Sequence, residues 1–167
     1  MNGLILADEL LEQAVHLVRR ERRHPRQASL RRAVSTAYYA LFHLLISEAI
    51  LNWKHTKHRP GIARQFQHAQ MRIASESIAN KLTAGIPRLK SGSREHDVVQ
   101  SLLAVAANFV DLYKARQTAD YDLSSSIEET YALHHVYLSV DAFKNWKSIR
   151  DEQAAQDYLL ALLFKDR

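Results

Sequence analysis

Helix-breaking residues are scarce in this chain, and the few present are clustered. Four Gly and three Pro in 167 residues are about a third of the usual share. Pro25 stands alone, Pro60 and Gly61 are adjacent, and Gly85, Pro87 and Gly92 fall within eight residues. Apart from Gly3 there are no others, and none follows Gly92. Gly weakens a helix through backbone entropy and Pro through its missing N–H. Long stretches without either leave room for long helices.

The stretches between the breaks carry apolar residues at helical spacing. A first helix is expected over about 4–23, with Leu6, Leu10, Leu11, Ala14, Leu17 and Val18 on one face. A second, over about 27–52, carries Val34, Ala37, Tyr38, Leu41, Leu44 and Leu45. A weaker pattern over about 61–83 includes Ile62, Phe66, Ala69, Ile73, Ile78 and Leu82, and a strong one over about 94–117 runs from Val98 to Tyr113. After a break at TADYDLSSS, a fifth helix opens on Ser125-x-x-Glu128 and Ser126-x-x-Glu129, both of capping-box form. Ile127, Tyr131, His134, Leu138 and Ala142 follow at spacings of three and four, and the tail reads as a further turn or helix with Asp151 as its cap. Strand and hairpin signals are nearly absent. The expectation is one all-α domain over 1–167, an up-and-down bundle of about five long helices.

The chain has no cysteine, which excludes disulfide scaffolds, thiolate metal sites and cysteine nucleophiles. The longest run without Asp, Glu, Lys or Arg is Ala33 to Ser47, 15 residues that include two Tyr, two Ser and a His. A spanning helix needs ~20 largely apolar residues, so no membrane segment is expected. The first residues have no basic region and turn acidic at Asp8, unlike a signal peptide; a cytoplasmic protein is expected.

Net charge is +5, and the basic side is mostly Arg, whose planar guanidinium suits phosphate and carboxylate. Seven Arg fall between positions 19 and 32: Arg19, Arg20, Arg22, Arg23, Arg26, Arg31 and Arg32. Such a run is either a solvated face with a helix-capping role or a surface for nucleic-acid or nucleotide phosphate. A second cluster, Arg116-Gln-Thr-Ala-Asp120-Tyr121-Asp122, falls where the fourth helix should end. It reads either as an i,i+4 pair at a helix terminus or as a polar pocket at the end of the bundle. A third, Tyr38-Tyr39-Ala-Leu-Phe42-His43, reads as a core stripe in which Tyr39 and His43 share a face. His55-x-x-His58 and His134-His135 are poor metal-ligand spacings, so no metal and no cofactor is expected. There is no Gly-rich phosphate loop, Gly-x-Ser-x-Gly elbow or His-Glu-x-x-His.

Three of these stretches together resemble HEPN (higher eukaryotes and prokaryotes nucleotide-binding) domains, in particular small bacterial ones. RRAVSTAYYALFHLLISEA resembles the signature helix, KHRPGIARQF the His-then-Phe stretch that follows it, and RQTADYD an Arg-x-x-Ala-Asp-Tyr element of a later helix. They lie in the expected order over about 31–122. The resemblance implies an all-α bundle that forms a symmetric dimer with a composite cleft. It also implies a role in a toxin–antitoxin or defence system, opposite a nucleotidyltransferase-type antitoxin. It further implies metal-independent ribonuclease chemistry or binding of RNA or a nucleotide. Arg116 and Tyr121 would occupy the catalytic positions, and Arg116, Asp120, Tyr121, Tyr39, His43, Arg31 and Arg32 would bind RNA or nucleotide. The family's catalytic signature is Arg, four to six residues, then His. Here Tyr121 stands at the His position, and an ordinary Tyr is a poor base at neutral pH. The literal match Arg19 to His24 falls in another helix, at a frequency chance explains. The resemblance therefore implies a binding protein first, with an active ribonuclease and a ligand-free interaction module as alternatives.

Overall fold

The breaker-poor stretches fold as helices. The computed structural model describes residues 3–21 and 23–164, and among these there is no strand; Arg22 of the arginine run lies outside them. Seven α-helices follow in order: α1 Gly3–Val18, α2 Gln27–Leu51, α3 Arg59–Ala63, α4 His68–Gly85, α5 Arg94–Tyr121, α6 Glu129–Ile149 and α7 Gln153–Leu163. Short 3-10 turns occupy Thr56–His58 and Ile86–Arg88. The count therefore exceeds the expected five through α3 and α7.

Several boundaries move for identifiable reasons. α1 stops at Val18, its last buried residue, because the arginines beyond it would stack like charges at i,i+3 and i,i+4. The weak third pattern splits in two: the chain leaves the helix after Ala63 and buries Phe66, and α4 starts only after an extended Gln67. The two Ser-x-x-Glu capping boxes do not form. α6 begins at Glu129 behind an extended Glu128 with no side-chain cap. Ser125 Oγ turns instead to Asp122 at 2.9 Å. The Gln27 amide clasps Ile127 through both its N–H and its carbonyl, each at 2.8 Å, and keeps that residue out of the helix. Asp151 is not a cap either; Glu152 precedes α7, with no side-chain cap bond.

Paired contacts give the helix directions. α1 runs antiparallel to α2, with Gly3 so close to Ser47 that a Cβ there would lie 2.3 Å from its Oγ. α2 and α5 are antiparallel, Arg31 meeting Ala119 and Tyr39 meeting Arg116. α5 and α6 are antiparallel through Asn108, Leu138 and Asp141. α2 and α6 are parallel: Ser139 donates to the Ala37 carbonyl at 2.9 Å and Arg150 pairs with Glu48 at 3.0 Å. α4 lies on α5 with Arg72 over the Tyr113 ring. Arg72 is near the start of α4 and Tyr113 near the end of α5, so the two helices run antiparallel. Strict up-and-down alternation, the expectation, thus fails between α2 and α4, which run parallel. The segment 52–67 climbs back along α2 and starts α4 beside Tyr38.

α2 is the central helix. Tyr38, Leu41 and Leu45 are fully enclosed with Phe109, Leu112, Trp146 and Tyr158, each worth about 1.5–3 kcal/mol or more in removed apolar surface. By length and composition α2 and α5 are long and apolar enough to cross a membrane, which the uncharged 15-residue run did not anticipate. Most of α2 is instead covered by its neighbours.

Candidate anion-binding site

The antiparallel contact of α2 with α5 brings the middle turns of α2 against the last turns of α5. From α2 come Ser35, Tyr38, Tyr39, Phe42 and His43; from α5 come Tyr113, Arg116, Asp120 and Tyr121. Arg116 is the centre. Its side chain is only 10% exposed. Nη2 donates to the Tyr39 hydroxyl at 2.8 Å and to the Tyr121 hydroxyl at 3.4 Å. Nε lies 2.9 Å from Asp120 Oδ2 but out of line for a hydrogen bond, so that contact is Coulombic. Ser35 Oγ holds the same carboxylate oxygen at 3.2 Å. The guanidinium carbon sits 5.4 to 5.7 Å from the Tyr39, Tyr121 and Tyr38 ring centres, within cation–π range. Burial works against the charge of Arg116, but Tyr39, Tyr121 and Asp120 outweigh it and hold its pKa above the ordinary value. Of the five N–H donors of a guanidinium, those on Nη1 have no hydrogen-bond partner among the described residues.

A histidine completes the cluster. His68, the first residue of α4, stacks on Phe42 with ring centres 4.1 Å apart. It shares a 2.7 Å hydrogen bond with the Tyr38 hydroxyl. Burial, then the Arg116 charge, then His43 push its pKa below the usual imidazole value. Burial does the same to His43, whose ring lies 6.4 Å from that of Tyr39. Burial raises the Tyr38 pKa well above the ordinary phenol value, so its hydroxyl stays protonated.

Of the residues the sequence singles out, Arg116, Asp120, Tyr121 and Tyr39 meet directly, and His43 lies beside them. Arg31 does not join them. Its Nη1 donates to the carbonyls of Ala119 and Asp122, both at 2.9 Å, and of Thr118 at 3.5 Å, and its Nη2 reaches the Ser125 carbonyl. These are carbonyls at the end of α5 and in the loop beyond it, of which Thr118 also accepts the Asp122 N–H, and a cation is suited to this helix end. Arg32 is exposed on α2, apart from the cluster, and Arg19, Arg20, Arg23 and Arg26 are exposed at the same end of the bundle. Below them a shallow hollow is lined by Gln27, Arg31 and Leu123 to Ser126. The Asp122 carboxyl is pulled down to about 2 by hydrogen bonds from Ser124 and Ser125.

The sequence reading missed Ser35 and His68; Tyr38, read as core, is buried as expected. Ser35 had a signal, lying one turn before Tyr39 on α2. His68 had none, because only the return of segment 52–67 brings it to Tyr38. His135 proves structural, buried with Nδ1 2.8 Å from the Tyr131 carbonyl. No group of three His, Asp or Glu able to hold a metal ion occurs among the described residues. No family model, curated protein or solved structure matches the chain.

Proposed function

We propose that the chain is a HEPN-type helical-bundle protein that binds RNA or a nucleotide through Arg116. One observation carries this reading: a mostly enclosed guanidinium, fixed by Tyr39, Tyr121 and Asp120, keeps Nη1 without a hydrogen-bond partner among the described residues. A fixed fork with one open edge is the geometry that receives a phosphate oxygen. Asp120 orients the fork, Tyr121 and Tyr39 line the pocket, and His43 stands beside it. The exposed arginines at the same end of the bundle extend the positive field toward a longer anion. A toxin–antitoxin or defence role, a nucleotidyltransferase-type antitoxin and a cytoplasmic location belong to the same proposal. Their support is the ordered motif set around Tyr38–His43, His58–Phe66 and Arg116–Asp122.

The test is fluorescence anisotropy with labelled RNA and with nucleotides. Arg116→Ala is expected to lose roughly 10- to 100-fold in affinity, the worth of one charged hydrogen bond. Arg116→Lys keeps the charge but not the fork and should recover only part. Equal affinity in all three proteins would overturn the proposal.

His68 favours a second reading, a metal-independent ribonuclease. The helix-end motif lacks its histidine, but α4 brings one to the same cluster, held neutral near pH 7 by its lowered pKa. A neutral imidazole can take the proton from a 2′-hydroxyl as that oxygen attacks phosphorus and the 5′-oxygen leaves. Arg116 would steady the charge gathering on the phosphoryl oxygens, and the His68 imidazolium formed by that transfer would give its proton to the leaving 5′-oxygen. RNA cleavage in EDTA, lost in both His68→Ala and Arg116→Ala, would establish it. Intact RNA after incubation with the wild-type protein would remove it.

A further inference from the structure

Between the last turn of α2, α3 and α7 the chain leaves a hollow of about 350 Å³. Its enclosed side is apolar, with Phe66 and Leu159 buried and Ile62 and Leu163 partly so. On its open side Trp53, Leu160 and Phe164 are 50%, 56% and 62% exposed. Single apolar residues are ordinary on a surface, but three large ones around one hollow mark a contact. The walls are fixed in place. Gln70 of α4 donates to the Phe164 carbonyl at 3.1 Å, and Arg59 donates to the Trp53 and Leu51 carbonyls at 3.0 and 3.1 Å. A preformed, mostly apolar concavity at the small end of the usual ~300–1,000 Å³ suits a small molecule.

The polar groups at the hollow favour an anion. Asn52 and Gln156 are the polar residues of its lining. Asn52 Nδ2 donates to Gln156 Oε1, and Gln156 Nε2 donates to the Arg150 carbonyl. A side-chain amide nitrogen carries two N–H groups, so each keeps a second one with no hydrogen-bond partner among the described residues. From Ala49 to Ser75 the sequence has no Asp or Glu, while Lys54, Lys57, Arg59 and Arg64 fall within it. A second hollow, sharing Trp53 and Ile62 with the first, is lined by His55 and His58. On the α7 side Asp157 accepts from Gln153 at 2.8 Å.

We propose that this hollow binds a small amphipathic carboxylic acid. The apolar body lies among Ile62, Phe66, Leu159 and Leu163. The carboxylate meets the free N–H groups of Asn52 and Gln156 and the basic loop that carries Lys54 and Lys57. A cation of the same shape finds no opposite charge in that loop, and a neutral molecule gains nothing from it. Free acids and the acyl chains of an anionic bilayer share this chemistry; the recessed floor at Phe66 and Leu159 fits the free acid. The hollow shares no residue with the Arg116 cluster, so this site and the phosphate site stand or fall separately.

The chain has two tryptophans, and Trp146 is fully buried, so tryptophan emission reports ligand at Trp53. Titration of the full chain with octanoate and decanoate, both kept monomeric, should change that emission and saturate. Decanoate should bind roughly tenfold tighter, at about fourfold per buried CH₂. Decylamine, of equal length and opposite charge, should bind at least tenfold more weakly than decanoate. Leu160→Glu sets a like charge on the open side and should weaken decanoate more than tenfold. Leu160 is exposed, so melting should stay at the wild-type value. Lys54→Glu with Lys57→Glu should weaken decanoate severalfold and leave decanol unchanged. Arg116→Ala should bind decanoate like the wild type. No saturable change with decanoate, decylamine binding as well as decanoate, or Leu160→Glu binding like the wild type would each overturn the proposal. So would decanoate binding lost in Arg116→Ala, or uptake by phosphatidylglycerol vesicles with no response to monomeric decanoate.

Discussion

Arg31 and Arg116 stand at the same end of the bundle, and the contrast between them separates closing a fold from presenting a site. Arg31 spends its guanidinium on the carbonyls of Thr118, Ala119, Asp122 and Ser125. Every one of those acceptors is backbone at the end of α5 or in the loop beyond it, and Thr118 also receives the Asp122 N–H. Arg116 is more deeply enclosed, yet its partners are side chains: two Tyr hydroxyls and a carboxylate. Its Nη1 donors have no partner among the described residues. Enclosure alone therefore does not distinguish the two arginines. What each guanidinium touches does.

The largest stability effect should come from Arg31. Arg31→Ala leaves carbonyls at the end of α5 without their cation and is expected to cost about 2 kcal/mol, a fall in melting temperature of about 5 °C. Binding of RNA or nucleotide should change far less than in Arg116→Ala. The comparison breaks if Arg31→Ala melts like the wild type and binds like Arg116→Ala. Arg116→Ala should have the opposite profile. Asp120 keeps its hydrogen bond from Ser35 and is partly exposed, so the cost in stability is expected to be about 1 kcal/mol or less, while affinity falls at least tenfold. Ser35→Ala should fall between the two on affinity, because it frees the carboxylate that holds Nε in place. Thermal melts and anisotropy on the three variants place each residue on both axes.

Much of this end of the molecule is legible in the chain. The absence of Gly and Pro, with the apolar spacing of Val34 to Leu45 and Val98 to Tyr113, specifies α2 and α5. Asp120 lies one turn after Arg116 and Tyr121 directly follows it, so their meeting is local. What escapes is set by contacts between distant segments. Ser125 and Ser126 have the form of helix caps, but Gln27, a hundred residues earlier, holds Ile127 and delays α6. Arg31 reads as one more member of a basic run, and only the antiparallel arrangement of α2 and α5 reveals which carbonyls it meets. His68 belongs to the weakest periodic stretch and reaches Tyr38 through the burial of Phe66, a tertiary event with no local signature.

The smallest expected effect contrasts the site histidines with Glu48 through pH. Burial holds His68 and His43 below the ordinary imidazole value. The unfolded chain takes up protons as pH falls through about 6.5, while the folded chain refuses them until its lower pKa values are reached. Stability should therefore fall with pH in that window. Glu48, five residues after His43 on α2, has the opposite sign. Burial raises its carboxyl above the ordinary 4.5 despite Arg150, so the folded state binds a proton there before the unfolded state does. Acidification through that raised value returns part of the loss. Urea unfolding at pH 7 and near pH 5 should show His68→Gln losing less stability on acidification than the wild type, and Glu48→Gln losing more. If both variants shift the same way, the histidines and Glu48 are not electrostatically distinct. If only His68→Gln shifts, Arg150 fully compensates the burial of Glu48 and the contrast rests on the histidines alone.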